Sequence, residues 1–464
     1  MNDMKSYFET IGNATVVCYD NGKPIIATDP WIQGGCYFGS WALSHEVPEQ
    51  QMKNILDCPY IWFSHGHPDH LNPDSINEFM DKTILLPDMV NRRIEKDLTA
   101  LGFTTRILPE REWVQLSDKV KIMCISDYFQ DAIILIDVNG RLIINTNDAL
   151  DRGWGKFVRK IISGYDTSVL LSLFGYGDAD MIHFFDQDGK FIEPKAAKRA
   201  PVGETIQAVT ESYGVTHCIP FSSMHRYQRA DSLWANKYAT ELDAYSKGFN
   251  SSSVQLLPAY ITFDCEIEHG KKQWKEINPK STEEIIFTSE DFNDNWSDPL
   301  TPEDFKKVEH YFKKIEHLHS FLDFICLRVG GKDHMIPLAK TKKDRGLIFE
   351  VPRHSLMIAV KHEIFDDLLI GNFMKTHLVG KWSESRLYPD FTPYVARYAD
   401  NAYVNTYAEL EKYMNEYKKR QPVEHFLHML EQKSIDLFRQ NISGGSPVFE
   451  FGKKAYWYTK RVFK

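Results

Sequence analysis

No segment of the 464 residues stays apolar for the roughly 20 residues that a bilayer-crossing helix needs, which argues against a membrane-spanning role. An excess of positive charge is missing too. Against 64 Asp and Glu stand 55 Lys and Arg, a formal net charge of −9, and a surface of that sign does not suit a phosphate backbone, so nucleic acid is not the expected partner. Cysteine is sparse: seven are scattered without a paired motif, and an odd number does not close a disulfide framework. Met1-Asn2-Asp3-Met4-Lys5 does not read as a signal peptide. Internal repeats and low-complexity stretches are lacking. These absences predict a soluble, cytoplasmic protein. What the chain does have is core-forming material, 43% hydrophobic and 13% aromatic, enough for two domains.

It also has His65-Gly66-His67-Pro68-Asp69-His70, three imidazoles and a carboxylate within six residues, a density that points to metal ligation. Tyr60-Ile61-Trp62-Phe63-Ser64 before it reads as a buried strand, which puts the ligands on a loop at a strand end. In an extended loop His65 and His67 point the same way, while Asp69 and His70 turn toward a second point, an arrangement suited to two metals. Asn21-Gly22 and Asn139-Gly140 each separate two apolar runs, Ala14 to Tyr19 from Ile25 to Thr28 and Ala132 to Asp137 from Arg141 to Asn145, which predicts two hairpins.

The His65–His70 loop resembles the HxHxDH signature of the metallo-β-lactamase superfamily. The resemblance implies an α/β fold, an αββα sandwich of two mixed sheets, holding a dinuclear centre. It assigns His65, His67, Asp69 and His70 as ligands. It makes Asp29 a residue behind the ligands that orients their loop. Asp148 becomes the bridging carboxylate and His225, preferred over His217, the last ligand. Asp69 and Asp148 would carry the catalytic roles. The superfamily's third motif is a His, and none follows Val120 to Ser126; either the first metal has only His65, His67 and Asp148, or Asp127 or Asp131 takes the place of the imidazole, with Asp127 preferred. A carboxylate there makes the site richer in oxygen and favours iron over zinc, with manganese also suited.

A narrower resemblance runs through Asp29-Pro30-Trp31, Ser44-His45-Glu46-Val47-Pro48, Asn145-Thr146-Asn147-Asp148, Phe174-Gly175-Tyr176-Gly177 and Val351-Pro352 to Asn372, which look like the lactamase-like part of the CMP-N-acetylneuraminate hydroxylases. That family carries a Rieske cluster, whose paired Cys-x-His and Cys-x-x-His ligands this sequence lacks. The resemblance therefore implies a diiron oxygenase acting on a small metabolite, with electrons from a separate electron-transfer protein. The alternative is a hydrolase of an ester, thioester, amide or phosphodiester, using a metal-bridged hydroxide.

The expected division is a metallo-β-lactamase-like domain over 1–270 and a smaller α+β domain over 271–464, with a polar linker from Glu268 to Lys280. The second domain is read as a helix starting at Thr301-Pro302-Glu303-Asp304, strands at Ile325 to Val329, Gly346 to Val351 and Leu356 to Val360, and helices over Tyr407 to Arg420 and Val423 to Asn441. Arg226, Tyr227 and Tyr176 are candidate substrate-binding residues, and the Phe174 to Asp180 loop a candidate pocket wall. Tyr388 to Tyr394 reads as a packed connector, His317-Leu318-His319 as no ligand pair, and the basic end from Lys453 to Lys464 as solvated. Oligomeric state is not legible.

Overall fold

The computed structural model describes residues 5–149, 151–176, 181–198, 201–268, 270–340, 342–400, 402–442 and 446–462. Both Asn-Gly hairpins form. Asn21 and Gly22 take φ of 50° and 72°, Asn139 and Gly140 take 50° and 75°, the paired positive φ that a two-residue turn matched to strand twist requires. Each hairpin is the centre of a sheet. The first sheet has eight strands, in the spatial order Trp274–Glu276, Ile261–Asp264, Tyr7–Ile11, Thr15–Asp20, Lys23–Thr28, Tyr60–Trp62, Thr83–Leu86 and Thr104–Ile107. The second has seven: Gln255–Leu256, His217–Pro220, Ser168–Ser172, Arg141–Asn147, Ala132–Val138, Val120–Ser126 and Val114–Gln115. Both are mixed, antiparallel around the hairpin and parallel beyond it.

Period-2 alternation assigns the faces. Val16, Cys18, Ile134 and Ile136 point into the seam between the sheets with Phe8, Ile26, Trp62, Ile122, Val169 and Ile219. Their neighbours Val17, Tyr19, Ile133 and Leu135 point outward and pack under helices, among them Glu49–Asp57 and Arg93–Ala100 on the first sheet and Gly155–Ile162 and Val202–Tyr213 on the second. The result is the expected αββα sandwich, with ligand-bearing loops at the carboxyl ends of its strands, where α/β sheets place their sites.

A third, six-stranded mixed sheet, Phe191–Ile192, Phe184–Asp186, Lys375–Gly380, Arg345–Glu350, Phe324–Val329 and Lys332–Pro337, forms a separate core with the helices Pro302–Lys314, Arg353–His362 and Phe365–Ile370. It draws strands from both sides of residue 270. Thr301 caps its helix as expected, accepting from the Asp304 amide while the Asp304 carboxylate accepts from the Thr301 amide.

Three expectations are corrected. Leu356 to Val360 is helical, not a strand: Pro352 precedes it and Ser355, Leu356, Ala359 and Val360 bury one face at helical spacing. The polar stretch after Glu268 is not wholly a linker, because Trp274–Glu276 pairs with Ile261–Asp264 and extends the first sheet. The basic end is helical over Pro447–Val462, and Lys460 pairs with Asp151 at 3.2 Å and Glu431 at 2.9 Å; Phe463 and Lys464 lie outside the described residues.

Candidate metal centre

Strand register places the first elements of the centre. Thr28 pairs with Trp62, so Asp29 and the His65–His70 loop leave adjacent parallel strands together. Asp29 is fully buried at φ 40°, a left-handed conformation unusual outside glycine, and its carboxylate accepts from the Ser64 amide at 2.7 Å and the Ser64 hydroxyl at 2.8 Å. Its Oδ2 also lies 3.0 Å from His70 Nδ1. These contacts tie the end of one strand to the start of the loop that leaves its neighbour.

Within the loop, His65 Nε2 and His67 Nδ1 converge to 2.9 Å. His70 Nε2 has no hydrogen-bond partner among the described residues, yet lies 3.4 Å from both Asp69 Oδ2 and Asp148 Oδ2. Asp148 follows Arg141–Asn147, and its Oδ1 accepts from the Ser222 hydroxyl at 2.8 Å. Asp69 is pinned on both oxygens: Oδ1 accepts from Tyr37 at 2.5 Å and Oδ2 from Asn13 Nδ2 at 3.0 Å. Ligand atoms of His65, His70 and Asp148 sit within 4.8 Å of one another, as do those of His67, Asp366 and Asp400. A buried imidazole nitrogen without a partner, two more converging beside it and carboxylates facing them form a donor set fitted to divalent metal ions.

His225 opens the short strand His225–Tyr227, paired with Trp41–Leu43, and is stacked on Trp41. Both its ring nitrogens lack hydrogen-bond partners among the described residues. His217 is instead packed in a strand, with its Nδ1 2.8 Å from the Thr216 hydroxyl.

The third-motif segment departs from the preferred reading. Asp127 Oδ1 accepts from the amides of Phe129 at 2.7 Å and Asp131 at 3.2 Å, while Oδ2 pairs with Arg152 Nε at 3.2 Å. Its carboxylate thus holds the turn together. Asp131 is the residue that reaches the histidines, with Oδ1 3.3 Å from His65 Nδ1. The candidate substrate-binding residues make contacts within the chain. Arg226 Nη1 donates to the Thr282 carbonyl at 3.0 Å, the Tyr227 hydroxyl accepts from Asn372 Nδ2 at 2.8 Å, and the Tyr176 amide donates to the Thr240 hydroxyl at 3.2 Å. Of the Phe174 to Asp180 loop, Gly177 to Asp180 lie outside the described residues. His317 stacks on Tyr394 and His319 Nε2 meets the Lys313 carbonyl.

The electrostatics fit a cation site. Burial drives His65 well below its ordinary value, with the charges of His70 and His67 adding. His67 and His70 are driven down by burial but end well above it, His67 through Asp366 and His70 through Asp69, Asp148 and Asp29. Burial raises Asp148, yet His70 and Ser222 bring it below the usual carboxylate range. Burial pushes Asp131 up to about 8, with Asp127 adding and Arg152 opposing. Positive charge collects on His67 and His70, the imidazoles that carboxylates raise, while His65 stays neutral.

The sequence did not single out Asn13, Tyr37, Trp41, Ser222, Asp366 or Asp400. Asp366 lies in the first turn of the helix Phe365–Ile370 and against the ligand loop across nearly 300 residues of chain, its Oδ2 3.4 Å from His67 Nε2. Only its place in the resembling Val351 to Asn372 segment hinted at it.

No family model matches the chain. It is 24% identical over 216 residues to cytidine monophosphate-N-acetylneuraminic acid hydroxylase of Mus musculus, covering 43% of this chain and 36% of that protein. To the Asterias rubens hydroxylase it is 27% identical over 145 residues, 29% of this chain and 22% of that protein. The chain thus spans well under half the length of these curated relatives. Among solved structures, Igni18, a metallo hydrolase from Ignicoccus hospitalis, overlaps 56% of this chain and 99% of its own at 13% identity and TM-score 0.35. CmlA, a diiron β-hydroxylase from Streptomyces venezuelae, overlaps 57% and 55% at 11% identity and TM-score 0.35.

Proposed function

We propose that this chain is a dinuclear-metal enzyme, and that it is a diiron oxygenase hydroxylating or oxidising a small metabolite. The observation that carries the metal reading is the convergence of His65 Nε2, His67 Nδ1 and the unpartnered His70 Nε2 beside Asp69 and Asp148. The preference for iron rests on the carboxylates: Asp69 and Asp148 stand beside His70, and the third-motif segment supplies no imidazole. Oxygen-rich donor sets favour harder cations than zinc. Similarity to the hydroxylases supports the same direction.

His65 and His67 would hold one ion, Asp69, His70 and His225 the other, with Asp148 between them. Two irons held there would supply dioxygen activation, one oxygen atom entering the substrate and the other leaving as water, with two electrons from a separate electron-transfer protein and two protons. The chain's own contribution is to fix the donors beforehand. Tyr37 and Asn13 lock both oxygens of Asp69, and Ser222 turns Asp148 so that Oδ2 faces His70.

The test is metal content per chain in anaerobically purified protein grown with iron and zinc both available, followed by oxygen uptake with a chemical reductant. About two irons and reductant-dependent uptake support the oxygenase. About two zincs with hydrolysis of a model ester overturn it in favour of the hydrolase.

A further inference from the structure

Each histidine of the ligand loop has a carboxylate against one ring nitrogen. His65 Nδ1 faces Asp131 at 3.3 Å, His70 Nδ1 faces Asp29 at 3.0 Å, and His67 Nε2 faces Asp366 at 3.4 Å. The nitrogens left over, His65 Nε2, His67 Nδ1 and His70 Nε2, are those that converge in the centre. The three carboxylates come from unrelated places: a strand-end turn, the end of the first sheet's central hairpin, and a helix of the C-terminal unit. We propose that Asp366 is a positioning residue of the metal centre: it accepts the Nε2 proton of His67, fixes the tautomer whose Nδ1 lone pair faces the metal, and makes the C-terminal unit a working part of the site.

The chemistry is that of a carboxylate–histidine–metal relay, in which the outer acid holds the ring's orientation and raises its donor strength. Asp366 is built for the task. It is 4% exposed, and its Oδ1 has no hydrogen-bond partner among the described residues, so the side chain is committed to His67 through Oδ2. A further cation on Asp366, Asp400 and His67 Nε2 would require both ring nitrogens of His67 to bind metal. That demands a doubly deprotonated imidazole, and the 2.9 Å approach of Nδ1 to His65 Nε2 already commits one nitrogen to the centre.

This inference rests on the metal reading of the loop. The experiment titrates metal-free full-length protein with Zn²⁺ or Co²⁺ against a competing chelator, for wild type, Asp366→Asn, Asp366→Glu and, as a reference, Asp29→Asn. Melting of each metal-free variant establishes that it is folded. Asp366→Asn is expected to keep two equivalents but weaken one by about 10–100-fold, with Asp366→Glu recovering part of the loss. Asp29→Asn should weaken the other equivalent. Wild-type affinities in Asp366→Asn overturn the proposal. So does wild type binding three equivalents with one lost in the variant, since Asp366 would then be a ligand. Failure of the metal reading is separate: wild-type protein would bind no metal.

Discussion

The imidazole of His225 lies flat on the indole of Trp41, ring centroids 3.3 Å apart and planes within 2°. Burial holds that imidazole down at about 3, against an ordinary value of 6.5. A histidine neutral when folded takes up its proton only on unfolding, so between these values the unfolded chain binds more protons and stability falls as pH drops from 6.5 toward 3. Metal-free protein should lose melting temperature over that window. His225→Gln should lose less, and equal pH slopes for the two would contradict this reading of His225.

His67→Ala and Asp148→Asn each remove a donor from the convergent set and should abolish activity by emptying part of the centre. Metal content per chain checks this directly. Full occupancy in both variants would sink the ligand assignment.

Asp127 and Asp131 should separate cleanly. Asp127 carries the turn amides and Arg152, so Asp127→Asn should cost about 1–3 kcal/mol in denaturant unfolding of metal-free protein. Asp131 faces His65, so Asp131→Asn should chiefly lower metal affinity. A metal titration beside each unfolding curve tells them apart, and a reversed pattern would restore Asp127 to the centre.

Arg229 is fully buried and pairs at 2.8 Å with fully buried Asp294, which also accepts from the Ser355 amide at 2.9 Å, while its guanidinium lies over the Phe373 ring at 3.9 Å. Arg229→Met leaves Asp294 uncompensated and should destabilise the protein by about 3–5 kcal/mol, because an orphaned buried charge keeps its full desolvation cost. Urea unfolding measures it. The double variant Arg229→Met with Asp294→Asn should recover part of the loss.

The local elements were legible because their causes are local. Asn21-Gly22 and Asn139-Gly140 demand positive φ, and the chain around each alternates with period 2, so both hairpins follow from neighbouring residues alone. The Thr301 capping box is equally self-contained. Leu356 to Val360 misled because its β-branched and aliphatic residues fit either element, and the helix was decided by which face the C-terminal core buries.

The centre divides in the same way. Sequence by itself determined that metal-ligating residues crowd the His65–His70 loop at a strand end, since that density needs no folding to be seen. Only the tertiary structure decided which carboxylate meets which imidazole. Asp29 arrives through parallel pairing of two strands, Asp131 rather than Asp127 through a turn whose amides occupy the latter, and Asp366 through packing of a helix that starts far along the chain. Such contacts depend on distance in space, and spacing along a chain carries no record of them.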